Sequence, residues 1–243
     1  MSDLEKTIKI QKLLSQLGVA SRRNCEVLVA NGDVTVDGQV AHVGMRVNND
    51  VVVAVKGKRI YSVSVPTRLL MLNKPEGYEC SRKPKEGIPS VFTLLPKIKG
   101  AQWVLVGRLD VNTSGLLLVT NSGDIAHQLM HPKFHYQRHY LVRCRGVISQ
   151  EQRNHVLKQG ITLDGKCVKF DKFEVVREKS IDSQNQWYSC VLSVGYYRVV
   201  RRCFESMGVT VSRLKRYAFG PVSLPKVLKV GKHIDVDLNL FEA

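Results

Sequence analysis

The sequence predicts an α+β protein in three segments: a small module over residues 1–62, a linker at 63–67, and a larger domain over 68–243 with a mixed, largely antiparallel sheet flanked by helices and loops. Three observations lead there. Helical and strand-like apolar patterns follow one another without the regular alternation of a parallel sheet. The stretch from Ser62 to Thr67, with Pro66 inside it, has little periodicity and separates two groups of patterns. At 243 residues with 44% hydrophobic side chains, the chain can build one sizeable domain and a small companion.

The elements follow in order. Ile10, Leu13, Leu14 and Leu17 recur at helical spacing up to Gly18. A second helical pattern runs from Arg22 through Cys25, Leu28 and Val29 to Asn31-Gly32, with Ser21 placed as its N-cap. Val34 to Val36, the turn Asp37-Gly38, and Gln39 to Ala41 read as a hairpin, and Val51 to Val55 as a further strand. Past the linker, strands are expected at Leu69 to Leu72, Trp103 to Val106, Leu116 to Val119, Tyr140 to Val142 and Trp187 to Val194. Helices are expected near Gly123 to Met130, Gln150 to Lys158 and Val199 to Met207.

Composition bounds the function. Thirty-seven Lys+Arg against 21 Asp+Glu give a formal net charge of +16, which points to a polyanionic partner. Residues 1–62 hold nine basic and six acidic side chains; the other 28 basic and 15 acidic ones leave the larger part with +13. The longest aliphatic run, Val51 to Val55, is far short of the roughly 18 residues a membrane span requires. Asp3 and Glu5 stand where a signal peptide would be basic and then apolar, so the expected location is the cytoplasm, away from membranes. Six cysteines without a C-x-x-C pair are expected to be reduced, mostly structural thiols. His127, His131, His135 and His139 recur every four residues, the spacing of ligands on one helical face. Pro132 breaks that face, so the segment reads as a helix end and a turn into a strand, and no metal is expected.

Chemistry concentrates in Gly107 to Gly115, a loop between two strand patterns in which Arg108 and Asp110 stand two apart, followed by small turn formers. Spacing alone leaves two readings level: a carboxylate set to meet a substrate, or a tight surface turn in which Arg108 and Asp110 pair weakly.

GVASRRNCEVLVANGDVTVDGQVA, in its helix-helix-hairpin order and with Lys12, Arg22 and Arg23 on the helices, resembles the S4 RNA-binding module. Arg108-Leu109-Asp110 inside GRLDVNTSGLLL resembles the signature of one family of pseudouridine synthases, whose A type serves the small ribosomal subunit, whereas its B, E and F types serve the large one. LNKPEG from Leu72, LMHP from Leu129, the Tyr140 strand and Val200-Arg201-Arg202 lie in that family's order, so the resemblance covers nearly the whole chain. DVNTSGLLL, LMHP and Asn185-Gln186-Trp187-Tyr188 place it nearest the B type.

The resemblance implies site-specific isomerisation of uridine to pseudouridine in ribosomal RNA of the large subunit, free or in an assembly intermediate, by a monomer with no cofactor. Asp110 takes the place of the catalytic nucleophile, Tyr140 that of the platform for the target base, and Arg201 that of the basic residue that pairs with the carboxylate and favours its charged form. On their own, Tyr140 also reads as an ordinary aromatic on a half-buried strand, and Arg201 as a phosphate-binding or solvated arginine. The expected RNA contacts are Lys12, Arg22, Arg23, Lys74, Arg82, Lys83, Lys85, Arg108, Arg198, Arg202, Arg213, Lys215 and Arg216. One segment departs from the family: Gly195-Tyr196-Tyr197-Arg198-Val199-Val200-Arg201-Arg202 carries two tyrosines at positions usually basic and polar. They either replace a charged contact by stacking or reshape the substrate site. A non-catalytic RNA-binding or ribosome-assembly factor with this fold is the alternative function; no helix-turn-helix or zinc pattern supports a DNA-binding regulator.

Overall fold

Residues 7–61, 65–177 and 185–241 are described by the structure, a computed structural model of the chain. Residues 62–64 of the expected linker region, and Asp3 and Glu5, lie outside the described residues. The chain divides into two units, residues 1–67 with 96–103 and 121–123, and residues 68–95, 104–120 and 124–243.

The first unit contains β1 (Ile8–Lys9), α1 (Ile10–Gln16), α2 (Arg22–Ala30), β2 (Val34–Val36), β3 (Gln39–Val40), β4 (Arg46–Val47), β5 (Val53–Val55) and β6 (Lys58–Ile60). Ile10, Leu14, Cys25 and Val34 are fully buried at its core, as the helical spacing of Ile10 and Leu14 in α1, and of Cys25 and Val29 in α2, requires. Ser21 caps α2 by accepting the Asn24 N–H at 3.2 Å. Asp37 and Gly38 both take positive φ, at 50° and 83°, the backbone that a two-residue hairpin turn between right-twisted strands demands. The strand expected at 51–55 is realised over its last three residues only, and β1, β4 and β6 are too short and too charged to show a period.

The second unit holds β7 (Leu69–Lys74), β8 (Val104–Val106), β9 (Ser114–Thr120), α3 (Gly123–Met130), β10 (Arg138–Arg145), α4 (Gln150–Lys158), β11 (Ile161–Leu163), β12 (Lys166–Val168), β13 (Lys172–Arg177), β14 (Asn185–Leu192), α5 (Val199–Ser206), β15 (Thr210–Phe219), β16 (Val222–Ser223) and β17 (His233–Val236). The main sheet runs β13-β14-β10-β15-β9-β7-β17, with β8 added on β9 and β16 on β15. Among the described strands of this sheet only β15 and β9 pair in parallel, and the other pairs are antiparallel. α4 and α5 pack Val156, Cys203 and Phe204 onto Val142 and Tyr188, while α3 packs Leu129 with Leu116, Leu118 and Phe219. A capping box, Ser149 with Gln152, starts α4.

The longest strand, β15, has no counterpart among the expected elements. Its register against β10 skips Ser212 and Tyr217, so two bulges break the period-2 pattern of buried Val211, Leu214, Arg216 and Ala218. The four spaced histidines separate as the proline predicts: His127 lies in α3, His131 caps a 3-10 turn, His135 is left-handed at φ 48°, and His139 lies in β10. Among the described residues no three His, Cys, Asp or Glu side chains are grouped to hold a metal, and no helix is long and apolar enough to cross a membrane. All six cysteines are free, and four of them are buried.

Gly115 fixes the close parallel approach of β9 to β15. Its φ is +101°, and a Cβ there would collide with the carbonyl oxygen of Arg216. Gly115→Ala is expected to cost roughly 3 kcal/mol, combining a left-handed backbone with overpacking. Urea unfolding with an unchanged midpoint would contradict this account of the β9-β15 contact.

Candidate active site

Lys74 ends β7 and is fully buried. Its Nζ donates to the carbonyls of Pro75 at 2.9 Å, Asp110 at 3.1 Å, Val111 at 3.3 Å and Thr113 at 2.8 Å. An ammonium has only three donors and no acceptor, so this one is spent entirely on turning the 110–113 loop inward. Burial pulls its pKa below the usual lysine value, opposed by nearby Cys80, Glu76 and Asp110. The expectation of an RNA contact at Lys74 is therefore corrected: no surface remains on it for a phosphate to reach.

Further bonds set the same loop. The Thr113 N–H donates to the Asp110 carbonyl at 3.0 Å, and the Gly77 N–H to the Val111 carbonyl at 2.8 Å. Arg201, from α5, is 4% exposed and donates through Nη2 to the Asn112 carbonyl at 2.7 Å and through Nη1 to the Val211 carbonyl at 3.2 Å. Its Nε stands 3.9 Å from Asp110 Oδ2. Burial lowers the Arg201 pKa and nearby Arg198 lowers it further, while Asp110 and Glu76 oppose the shift. Asp110 and Arg201, 91 positions apart in the chain, are thus neighbours.

Tyr140 lies on β10 directly across from Arg216 of β15 and Cys190 of β14. With Asp110 it lines a cleft of about 360 Å³, closed by Arg138, Leu214, Arg216 and Phe219. Among the described residues, Asp110 is the one carboxylate on that wall, beside Arg108, Arg138, Arg198 and Arg216. The Arg138 guanidinium sits 5.2 Å and that of Arg216 5.5 Å from the Phe219 ring centre, so one ring steadies two cations. Arg138 also donates to the Tyr136 and Ser193 carbonyls, both at 2.9 Å, and burial lowers its pKa. Arg216 donates through Nε to the Leu116 carbonyl at 2.8 Å. Two buried side-chain polar atoms lack a partner among the described residues, Arg201 Nε and Arg216 Nη2. Such donors cost about 1–3 kcal/mol each, and both belong to guanidiniums around Asp110 and Tyr140.

A wider groove of about 860 Å³ shares Arg108, Asp110, Tyr196 and Arg198 with the cleft and extends past Arg82, Lys85 and Tyr197. The other expected RNA contacts are placed elsewhere. Arg202 is committed to Asp164 by two bonds of 2.8 and 2.7 Å. Arg213 and Lys215 alternate with inward Leu214 and Arg216, so they lie on the opposite face of the sheet, in a hollow with Leu141 and Trp187. Lys83 is exposed in the 80–89 loop but does not line the groove. Lys12 is half-buried on α1, and Arg22 and Arg23 are exposed on α2 of the first unit. The run of basic residues from 198 to 216 is therefore not one track. Sequence reasoning passed over Arg138 and Phe219; the signal for Arg138 was its place two residues before Tyr140, on the same side of a strand.

Comparison with known proteins bears on this site. Residues 68–206 match the RNA pseudouridylate synthase family, and residues 8–53 match the S4 domain. The ribosomal large subunit pseudouridine synthase B of Pseudomonas aeruginosa is 42% identical over 232 residues, covering 94% of this chain and 59% of that protein. The protein of the same name from Salmonella typhimurium is 41% identical over 236 residues, covering 95% and 79%. The chain spans about half the length of several curated relatives it matches. A crystal structure of a pseudouridylate synthase, 22% identical, aligns over 97% of this chain and 98% of its own with a TM-score of 0.63, which shows a shared fold.

If Lys74 is the anchor of the 110–113 loop, Lys74→Met should lower stability by about 3 kcal/mol, because four inward carbonyls lose their charged donor. Normal unfolding combined with a selective, salt-dependent loss of RNA affinity would return Lys74 to the RNA surface.

Proposed function

The chain belongs to the RNA pseudouridylate synthase family, and from that premise we propose that it isomerises uridine to pseudouridine in ribosomal RNA of the large subunit. Residues 1–62 then serve as the RNA-binding module and 68–243 as the catalytic domain. One observation carries the proposal: among the described residues a single carboxylate, Asp110, lines the cationic cleft that also holds Tyr140, and buried Arg201 stands 3.9 Å from it.

The chemistry asks for little more. The N1–C1′ bond of uridine breaks, the uracil turns, and C5 bonds to C1′ of the same ribose; a proton leaves C5 and one is gained at N1, with no change in oxidation state. A carboxylate that adds covalently and then departs, or that steers these protons, is sufficient. Asp110 is that group. Tyr140 offers its ring to the target base, a contact worth about 1–3 kcal/mol. The base has to leave its stack to reach the cleft, which costs least at loops and open junctions. Arg201, tied to the Asn112 carbonyl, holds its charge beside Asp110 without a direct hydrogen bond to it. Since Asp110, Tyr140 and Arg201 come from one chain, a monomer is sufficient, and it works in the cytoplasm, where its substrate is.

Asp110→Asn is expected to abolish pseudouridine formation while RNA affinity stays within a few-fold, as read by pseudouridine mapping and filter binding; retained isomerisation would refute the role of Asp110. Removing residues 1–62 should degrade site choice in ribosomal RNA more than turnover on a short target RNA. Equal site choice by the shortened and full chains would remove the module from recognition.

A further inference from the structure

Tyr196 and Tyr197 are large aromatic side chains that the chemistry above does not use and that the fold leaves uncovered. Tyr197 is 72% exposed and Tyr196 42%. Tyr197 has no ring partner among the described residues, and the Tyr196 ring stands 4.8 Å from Lys166 Nζ. Rings of this size normally bury most of their area, so an exposed adjacent pair marks a contact surface.

Their position gives the surface a ligand. Tyr196, Tyr197 and Arg198 all line the groove that opens from the Asp110 cleft. Three consecutive residues share one wall only where the backbone is neither helix nor strand, and Arg198, left-handed at φ 48°, supplies that turn. In the same groove the Arg82 guanidinium lies 4.1 Å over the Phe92 ring, and Lys85 and Arg108 add two more cations. Among the described residues Glu79 and Asp110 are the only carboxylates there, and Glu79 already accepts the Lys85 N–H at 2.8 Å. Exposed rings interleaved with an excess of arginine and lysine, next to a cleft of single-base size, suit single-stranded RNA: every base has a face to stack, and every linkage has a charge to neutralise. A nucleotide turned out of its stack also uncovers the faces of its neighbours, and those faces need a new partner.

We propose that Tyr196 and Tyr197 form a second nucleobase site, which stacks an unpaired nucleotide flanking the target uridine, with Arg82, Lys85 and Arg198 on its phosphates. The site rests on the assignment of the adjoining cleft to the target uridine.

The test uses the full chain and a short RNA that contains the target uridine, with single abasic substitutions at each of the two positions on either side. Affinities are measured at fixed salt for the wild type, Tyr197→Phe, and Tyr196→Ala combined with Tyr197→Ala. One abasic position should weaken wild-type binding about tenfold. The double alanine variant should bind the intact RNA about tenfold more weakly and lose nothing further at that position, since the two changes remove the same contact. Tyr197→Phe should match the wild type within about twofold, because it keeps the stacking face. Unchanged RNA affinity in the double variant, or abasic losses that persist in it in full at every position, would overturn the site and leave the tyrosines to a protein partner. Thermal melting checks that the variants are folded, which two exposed loop side chains should not alter. Pseudouridine formation by the wild type on the intact RNA is scored separately: its absence would count against the isomerase, whereas the stacking result is read from affinity alone.

Discussion

A buried ammonium organises the second unit. Backbone carbonyls at a loop ordinarily face water, because an inward-facing one needs a donor. Lys74 provides that donor for Asp110, Val111 and Thr113 at once, from the end of a strand whose six residues are all buried. The loop is thereby anchored to the sheet by its main chain, and the side chain of Asp110 is left unencumbered. Arg201 repeats the device from the other side, binding the Asn112 carbonyl from α5. Two cations taken out of water are costly, and here both are offset by hydrogen bonds to one four-residue loop.

The sheet divides the basic residues by face. β15 enters the centre of the sheet as its longest strand, antiparallel to β10 and parallel to β9. Its inward positions bring Leu214 and Arg216 to the cleft, while Arg213 and Lys215 emerge on the far side. Net charge sums these contributions, whereas a bound nucleotide meets only one face. The cationic character of the cleft comes instead from residues distant in sequence, Arg108, Arg138, Arg198 and Arg216, which the strand order β10-β15-β9 and the start of α5 gather.

Much of this was legible beforehand, for identifiable reasons. α3 falls at its expected bounds because Ala126 and Leu129 keep helical spacing, α4 because Ser149 and Gln152 cap its start, and the Asp37-Gly38 hairpin falls where two positive-φ residues require it. The position of Asp110 on a turn between two strands followed from the small residues after it. β15 was hidden because its two bulges shift the apolar phase and its polar face is arginine and lysine, which reads as a solvated run. Lys74 was misjudged for a related reason: a lysine among apolar neighbours gives no sign of whether its amine snorkels outward or meets carbonyls from a loop 36 residues away. Arg138 and Phe219 escaped notice because their shared contact exists only once β10 and β15 are paired.

The 3.9 Å between Arg201 Nε and Asp110 Oδ2 connects these features to the proposed chemistry. At that separation the opposite charges face each other without being in hydrogen-bond contact. A bidentate bridge would occupy the carboxylate lone pairs that the proposed attack on a nucleoside needs. Arg201 is kept from closing that gap because Nη1 and Nη2 are already committed to the Val211 and Asn112 carbonyls. The backbone bonds that position the arginine are therefore also what leaves the Asp110 carboxylate open to the cleft. The stability given up in an unpartnered Nε follows from that arrangement, and it is given up beside the carboxylate that lines the cleft.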